Sequence, residues 1–263
     1  MKRLSLFLCI MILLSALVPA RSGSAVGMSY APTGYYAASK YFRRLNALRF
    51  TGDQRFDIVN IAASQVGYHE GDSFSQLDGD NGSGSKNFTE YGYWFGTEVM
   101  ERDEGFFYAW CAMFVSWCAR QSGVPTSVLS NAAYARPDSA ALSGGYGYFH
   151  LDAINPNGYE PKCGDLVFID WEADGTWDHV GFVCYYDGSS IGTIEGNAED
   201  GILHRVYDKN DPVIRAYGSP AYAGESSGRE GEVFRARFEA EQKVKQAAES
   251  AARLMAALTS APD

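Results

Sequence analysis

The sequence predicts an α+β fold, with helices in the first half and a small antiparallel sheet behind them. Three observations carry this. Apolar residues recur at helical spacing up to residue 66, an apolar stretch headed by a cysteine runs from Trp110 to Ser122, and from Cys163 the period switches to short strands separated by tight turns.

Taken in order, Phe42, Leu45 and Leu48 fall on one face of a short helix within residues 27–50. A second helix spans Gln54 to Val66, with Phe56, Val59, Ala63 and Val66 at helical spacing and Gly67 as its stop. Residues 71–86 read as a loop by composition. Asp78, Asp80 and Asn81 start like a calcium loop, but Ser83 and Thr89 occupy the sixth and twelfth positions where the EF-hand pattern needs glycine and glutamate. The segment WCAMFVSWCARQS is apolar nearly all round and ends at Gly123 with Pro125 beyond it, which predicts a buried helix with a firm stop. Residues between there and Cys163 read as irregular loops. Then GDLVFIDW, DHVGFVCYY and IGTIEGN, joined by polar turns, predict three strands of an antiparallel meander.

Arg229 to Leu258 reads as a charged helix. Its residues Ala240, Val244, Ala247, Ala251, Leu254 and Leu258 form a heptad-like seam of under three heptads, short of what a coiled coil needs. Packing back on its own domain is the preferred expectation, and docking a protein partner or a second copy is the alternative.

The chain has 263 residues with 46% hydrophobic content, enough for a sizeable folded core. Lys2 and Arg3 precede an apolar run from Leu4 to Val18, followed by small residues up to Ala25, the pattern of a cleaved export signal. That run is 15 residues long, below the ~20 that a membrane-spanning helix needs. The expectation is a secreted or wall-associated protein with no membrane attachment after cleavage. Without residues 1–25 the chain keeps 19 basic and 32 acidic residues, a net −13. Such a balance disfavours a nucleic-acid partner, because phosphate contacts need a basic face. The expected organisation is a signal at 1–25, an N-terminal flank at 26–57, a catalytic domain at 58–224 and the charged helix at 225–263.

Four cysteines remain after the signal. Cys111 sits at the second position of the buried helix, directly after Trp110, where the macrodipole and free backbone N–H groups favour a nucleophilic thiolate. The same position suits a core cysteine equally well, since cysteine is among the most buried residue types. Cys118 lies seven residues on, about 10 Å along the axis, too far for a disulfide with Cys111. Pairing Trp171 with Trp177 sets Cys184 opposite Gly164, so a bond between Cys163 and Cys184 requires a register slip of one residue.

A nucleophilic cysteine needs a base and a group to orient it. Of the four histidines, His179 alone opens a strand. Glu195 and Asn197 are two apart on the next strand and share a face. If the hairpin pairs residues whose numbers sum to 374 or 376, His179 stands opposite Glu195 or Asn197 respectively. An odd sum puts His179 on the other face and breaks the constellation. In the intact arrangement His179 takes the thiol proton and later protonates a leaving amine, while Glu195 or Asn197 holds the other ring nitrogen.

The segments IAASQVGYHEG, TEYGYWFG, WCAMFVSWCARQSGVP, GDLVFIDW, WDHVGFV and IEGNA, running in order from about Ile58 to Tyr222, resemble successive blocks of the CHAP family of cysteine- and histidine-dependent amidohydrolases and peptidases, relatives of the NlpC-type cell-wall peptidases. The resemblance implies a papain-like fold and cleavage of amide bonds in bacterial peptidoglycan. It also implies Cys111 as nucleophile, His179 as base, Glu195 as orienter and Asn197 as a further polar residue of the site, with the Cys111 backbone N–H in an oxyanion hole and Tyr91 a candidate for the second donor. Some members bind calcium through acidic residues around the cysteine; Arg102, Phe106, Tyr108 and Met113 stand there in this chain. No metal or other cofactor is therefore expected.

The function so implied is a secreted peptidoglycan hydrolase acting on stem or cross-bridge peptides, either an N-acetylmuramoyl-L-alanine amidase or an endopeptidase. The alternatives are an amidase of small peptide or polyamine conjugates, and a non-catalytic wall-binding scaffold that recruits a partner through its last helix.

Overall fold

The computed structural model describes residues 25–80, 82–124, 154–175 and 177–259. The residues expected to form an export signal, apart from Ala25, and most of the stretch before Cys163 that the sequence reads as irregular lie outside them.

The helical half begins with α1 (Gly34–Ala38) and α2 (Lys40–Ala47), capped by the hydroxyls of Thr33 and Ser39. Asp53 caps α3 (Gln54–Ser64) by accepting from the Arg55 and Phe56 amides. This helix is buried nearly all round, beyond the single face its spacing implied. A 3₁₀ turn (Phe74–Gln76) interrupts the expected loop. Thr89 caps a short α4 (Glu90–Trp94), which runs on into a π-helical turn (Phe95–Val99). Then comes α5 (Cys111–Ser122), stopped by Gly123 at φ 70°, a left-handed conformation that glycine adopts without steric cost.

The sheet contains β1 (Leu166–Ile169), β2 (His179–Tyr186), β3 (Ser190–Ala198), β4 (Gly201–Asp208) and β5 (Ile214–Gly218), in the spatial order β4-β3-β2-β1-β5 with every neighbour antiparallel. The meander thus extends one strand further than expected, and β5 returns to add to its far edge. The architecture is mixed α+β, consistent with a papain-like fold.

Alternation along the strands divides the core. Leu166, Phe168, Val180, Phe182 and Ile194 face the helices. Val167, Ile169, Val183, Ile191 and Ile214 form a second cluster on the opposite face, covered by Ile154, Tyr159 and Tyr207 among others. Burial on both faces explains why β1 is an unbroken apolar run. Residues 26–57 share the helix-side core: Tyr36, Tyr41 and Leu45 are fully buried, and buried Glu90 accepts from the Tyr30 and Thr33 hydroxyls. Asp165, also fully buried, ties α3 to the sheet by its 2.9 Å pair with Arg55 and its bond from Ser219 of the segment after β5.

The last helix, α6 (Glu230–Thr259), docks through Phe234, stacked on Phe56 at 5.1 Å, and Phe238, stacked on His204 at 3.8 Å. This corrects the expectation that the alanine-rich seam packs on the domain: Ala240 and Val244 are half-buried, but Ala247 and Ala251 are exposed. A helix of 30 residues is about 45 Å long, whereas the eight-residue β2 beneath it spans about 27 Å. From Lys245 to Arg253 every residue of α6 is exposed.

Candidate active site

Cys111 is the first residue of α5, one position nearer the helix start than the sequence placed it, and is 1% exposed. No side chain caps this helix end, so its leading amides remain available to an anion. Cys118, Cys163 and Cys184 are likewise buried and free, and burial pushes their thiols up, which keeps them protonated. The β1–β2 register, with Leu166 opposite Phe182, puts Gly164 in line with Cys184 and leaves Cys163 one residue out of step.

His179 is the first residue of β2, paired with Ile169 and 2% exposed. The β2–β3 pairs Phe182↔Ile194 and Val183↔Thr193 both sum to 376, the parity that keeps His179 and Glu195 on one face. A bulge between Val183 and Tyr185 makes the sum odd only towards the hairpin turn, away from the site. Continued outward, this register sets Gly181 opposite Glu195. A Cβ on Gly181 would lie 2.7 Å from the Glu195 Cγ, so the missing side chain is the space through which Glu195 passes. The Glu195 Oε2 reaches the His179 Nε2 at 3.1 Å. The ring N–H is not aimed at the carboxylate, so the interaction is an ion-pair contact and not a directed hydrogen bond.

A second glycine brings the thiol to this pair. At Gly196 a Cβ would lie 2.7 Å from the Phe114 Cβ, so α5 rests directly on the β3 backbone. Cys111, one turn before Phe114, thereby comes within hydrogen-bonding reach of the imidazole. With Nε2 the ring nitrogen 3.1 Å from Glu195, Nδ1 is the one left for sulfur. Burial pushes the imidazole down, but Cys111 and Glu195 outweigh it and hold the histidine up from 6.5 to about 9. Burial also works to raise Glu195, yet His179, with help from Thr193 and Arg205, holds its carboxyl below the ordinary range.

Asn197 takes a different place. It sits in the bulge where β3–β4 pairing shifts between Gly196 and Ala198, at φ 60°, a left-handed conformation that asparagine tolerates. Of Glu195 and Asn197, Glu195 is the one that touches His179. Tyr91 is not free to act as an oxyanion donor: its hydroxyl donates to the Gln65 Oε1 at 3.1 Å in the buried helical core.

Sequence reasoning missed several residues that shape the site. Thr193 donates to the Glu195 Oε1 at 2.6 Å, and the Tyr207 hydroxyl lies 3.4 Å from Oε2. Trp171 stacks on the His179 ring at 4.4 Å, with the Arg205 guanidinium over its indole at 5.7 Å. The two-residue spacing of Thr193 and Glu195 and the pairing of Trp171 with Trp177 beside His179 were the available signals; Tyr207 lies on a strand whose proximity only the fold reveals.

Among the described residues, one group of three carboxylates has the spacing to hold a metal ion, Asp170, Glu172 and Asp178 in the hairpin before His179. Its oxygens already serve that hairpin: Asp170 accepts the Asp174 and Gly175 amides, and Asp178 the Trp171 amide. A cavity of about 510 Å³, with Trp177, Lys209 and Arg215 in its wall, includes neither Cys111 nor His179 in its lining.

The arrangement brings together a buried thiol, an imidazole poised to hold a proton, and a buried carboxylate that favours the charged ring, the parts that thiol-based nucleophilic chemistry uses. Residues 103–197 match the family model of the CHAP domain, a stretch that contains Cys111, His179, Glu195 and Asn197. No curated protein and no solved structure matches the chain. The segment is thus of the cysteine- and histidine-dependent amidohydrolase or peptidase type.

Proposed function

Residues 103–197 being a CHAP domain, we propose that this protein is a secreted peptidoglycan hydrolase that cleaves amide bonds through a thioester on Cys111. The observation that carries the reading is the meeting of Cys111, His179 and Glu195 at one end of the sheet. Export rests on the pattern of residues 1–25, and no described helix is long and apolar enough to cross a membrane.

In this mechanism the thiolate attacks the amide carbonyl carbon, and the tetrahedral oxyanion lies against the uncapped amides at the start of α5. The C–N bond breaks as protonated His179 gives its proton to the leaving amine. Water then attacks the thioester, His179 takes its proton, and the carboxylic acid leaves with the thiolate restored. Glu195, supported by Thr193 and Tyr207, keeps the ring oriented and favours its charged form. Asn197 is the further polar residue at the rim.

The bond cleaved is either the link between N-acetylmuramic acid and L-alanine or one within the stem or cross-bridge peptides. Purified walls treated with the protein and analysed by mass spectrometry should release muropeptides, and the new termini identify the bond. Cys111→Ala should release none. Intact walls, or cleavage of soluble amides alone, would overturn the proposal in favour of a scaffold or a small-amide amidase.

A further inference from the structure

We propose that Glu70 is a positioning residue that fixes the start of α5, and with it Cys111, against the sheet end that carries His179 and Glu195. The inference rests on the reading of Cys111 as nucleophile. Glu70 is 1% exposed, and burial holds its carboxyl above the ordinary range. Keeping a carboxylate in such a place is costly unless its oxygens are satisfied. Both are: Oε2 accepts from the Trp110 indole N–H at 2.8 Å, and Oε1 from the Asn87 amide at 2.7 Å.

The position of these partners gives the contact its meaning. Trp110 immediately precedes Cys111 and is the N-cap of α5, yet it supplies no side-chain cap. The start of the helix is set by the indole, fully buried, stacked on Tyr91 at 5.5 Å and tethered to Glu70. The backbone of Glu70 reaches the other half of the site, its N–H donating to the Asp200 carbonyl at 2.9 Å in the turn between β3 and β4. That turn follows Glu195 and Asn197 directly. One residue therefore grips the segment before the thiol with its side chain and the end of the sheet with its main chain. A displacement of ~1 Å between reacting groups is enough to lower turnover about 10²-fold.

The test is a double-mutant cycle with Glu70→Gln and Trp110→Phe. The glutamine keeps one acceptor but turns an amide N–H₂ towards a donor, and the phenylalanine keeps a ring but loses the N–H. Each single variant should lower kcat for wall hydrolysis by about 10²-fold with little change in KM, and the double variant should be no worse than either. In parallel, NMR titration of the His179 ring, which needs no substrate, should show its midpoint falling from about 9 towards 6.5 in each variant as Cys111 moves away. A merely structural role would lower the melting temperature without moving that titration. Additive losses, an unchanged kcat, or a His179 midpoint unmoved in Trp110→Phe would overturn the proposal, the last even if Glu70→Gln does not fold. A wild-type protein that leaves walls intact would refute the functional reading instead, while the titration still decides the role of Glu70.

Discussion

The carboxylate of Glu195 reaches the imidazole of His179, 3.1 Å away, through the space left by a residue with no side chain, Gly181. Adding a methyl there would place it 2.7 Å from the Glu195 Cγ and 3.0 Å from the Ile194 carbonyl oxygen. Gly181→Ala should therefore push Glu195 off the ring. Overpacking of this kind costs ~1–3 kcal/mol, and kcat/KM should fall at least as much as on removal of the carboxylate in Glu195→Ala. Thermal melting and wall-hydrolysis rates check both parts; a fully active, undestabilised variant would show that Glu195 does not need this passage.

The alkaline side of the pH profile should report His179. Its pKa is raised from 6.5 to about 9, so the protonated ring is present at neutral pH and is lost as pH rises through about 9. Its contribution to folding follows the same sign: complete below about 6.5 and gone above 9. Leaving-amine protonation needs that proton, so kcat/KM should fall on an alkaline limb near 9. In Glu195→Gln the stabilising charge is gone, so the limb should move to lower pH and the rate should fall by about 10²-fold. A limb that stays in place would mean that Glu195 does not sustain the imidazolium.

These relationships mark the boundary of what the sequence could reveal. The strand parity behind the site was legible because alternation is strictly two-fold: once Glu195 and Asn197 are placed on one strand and His179 on its neighbour, only an even sum lets them meet. Spacing alone left open which of the pair touches His179, and only the family resemblance pointed to Glu195, because the deciding features are the bulge that holds Asn197 at φ 60° and the gap at Gly181. Helix α4 went unread because five residues are too few for a periodic signal, and its cap, Thr89, is an ordinary threonine until its bond to the Gly92 amide is seen. Strands β4 and β5 were missed for a related reason. In β4 the half-buried His204 and Arg205 interrupt the apolar pattern, and the apolar Val206 is exposed, so neither run nor alternation marks the strand. Glu70 belongs to a segment remote in sequence from Trp110, 40 residues on, and no local pattern encodes such a contact.

The last helix should behave as two parts. Phe234 and Phe238 are 1% and 4% exposed, and truncating such a side chain costs ~3–5 kcal/mol. Phe238→Ala should thus lower the melting temperature by about 6–20 °C. Removal of residues 245–263 takes away turns that are exposed from Lys245 to Arg253, so the melting temperature should change by less than about 2 °C. A large loss on this truncation would show that the C-terminal turns are held against the domain or against a second copy, and sedimentation of the full chain would tell the two apart.

Beneath that helix lies a group whose titration should be visible at acid pH. His204 stacks on Phe238 with ring centroids 3.8 Å apart, and its Nε2 is buried with no hydrogen-bond partner. Burial lowers its pKa from 6.5 to about 4, opposed only weakly by Glu195. The folded protein thus refuses a proton that the unfolded chain accepts. As pH falls below 6.5 the unfolded state gains that proton and stability declines, and the loss is complete near pH 4. With partial solvent access the effect should be ~1–2 kcal/mol. His204→Leu keeps an apolar side chain under Phe238 and removes the titration. The difference in unfolding free energy between wild type and variant should therefore change between pH 6.5 and 4, in the variant's favour as pH falls. Parallel curves over that interval would mean that His204 is hydrated or protonated without penalty and that the docking of α6 does not depend on its neutrality.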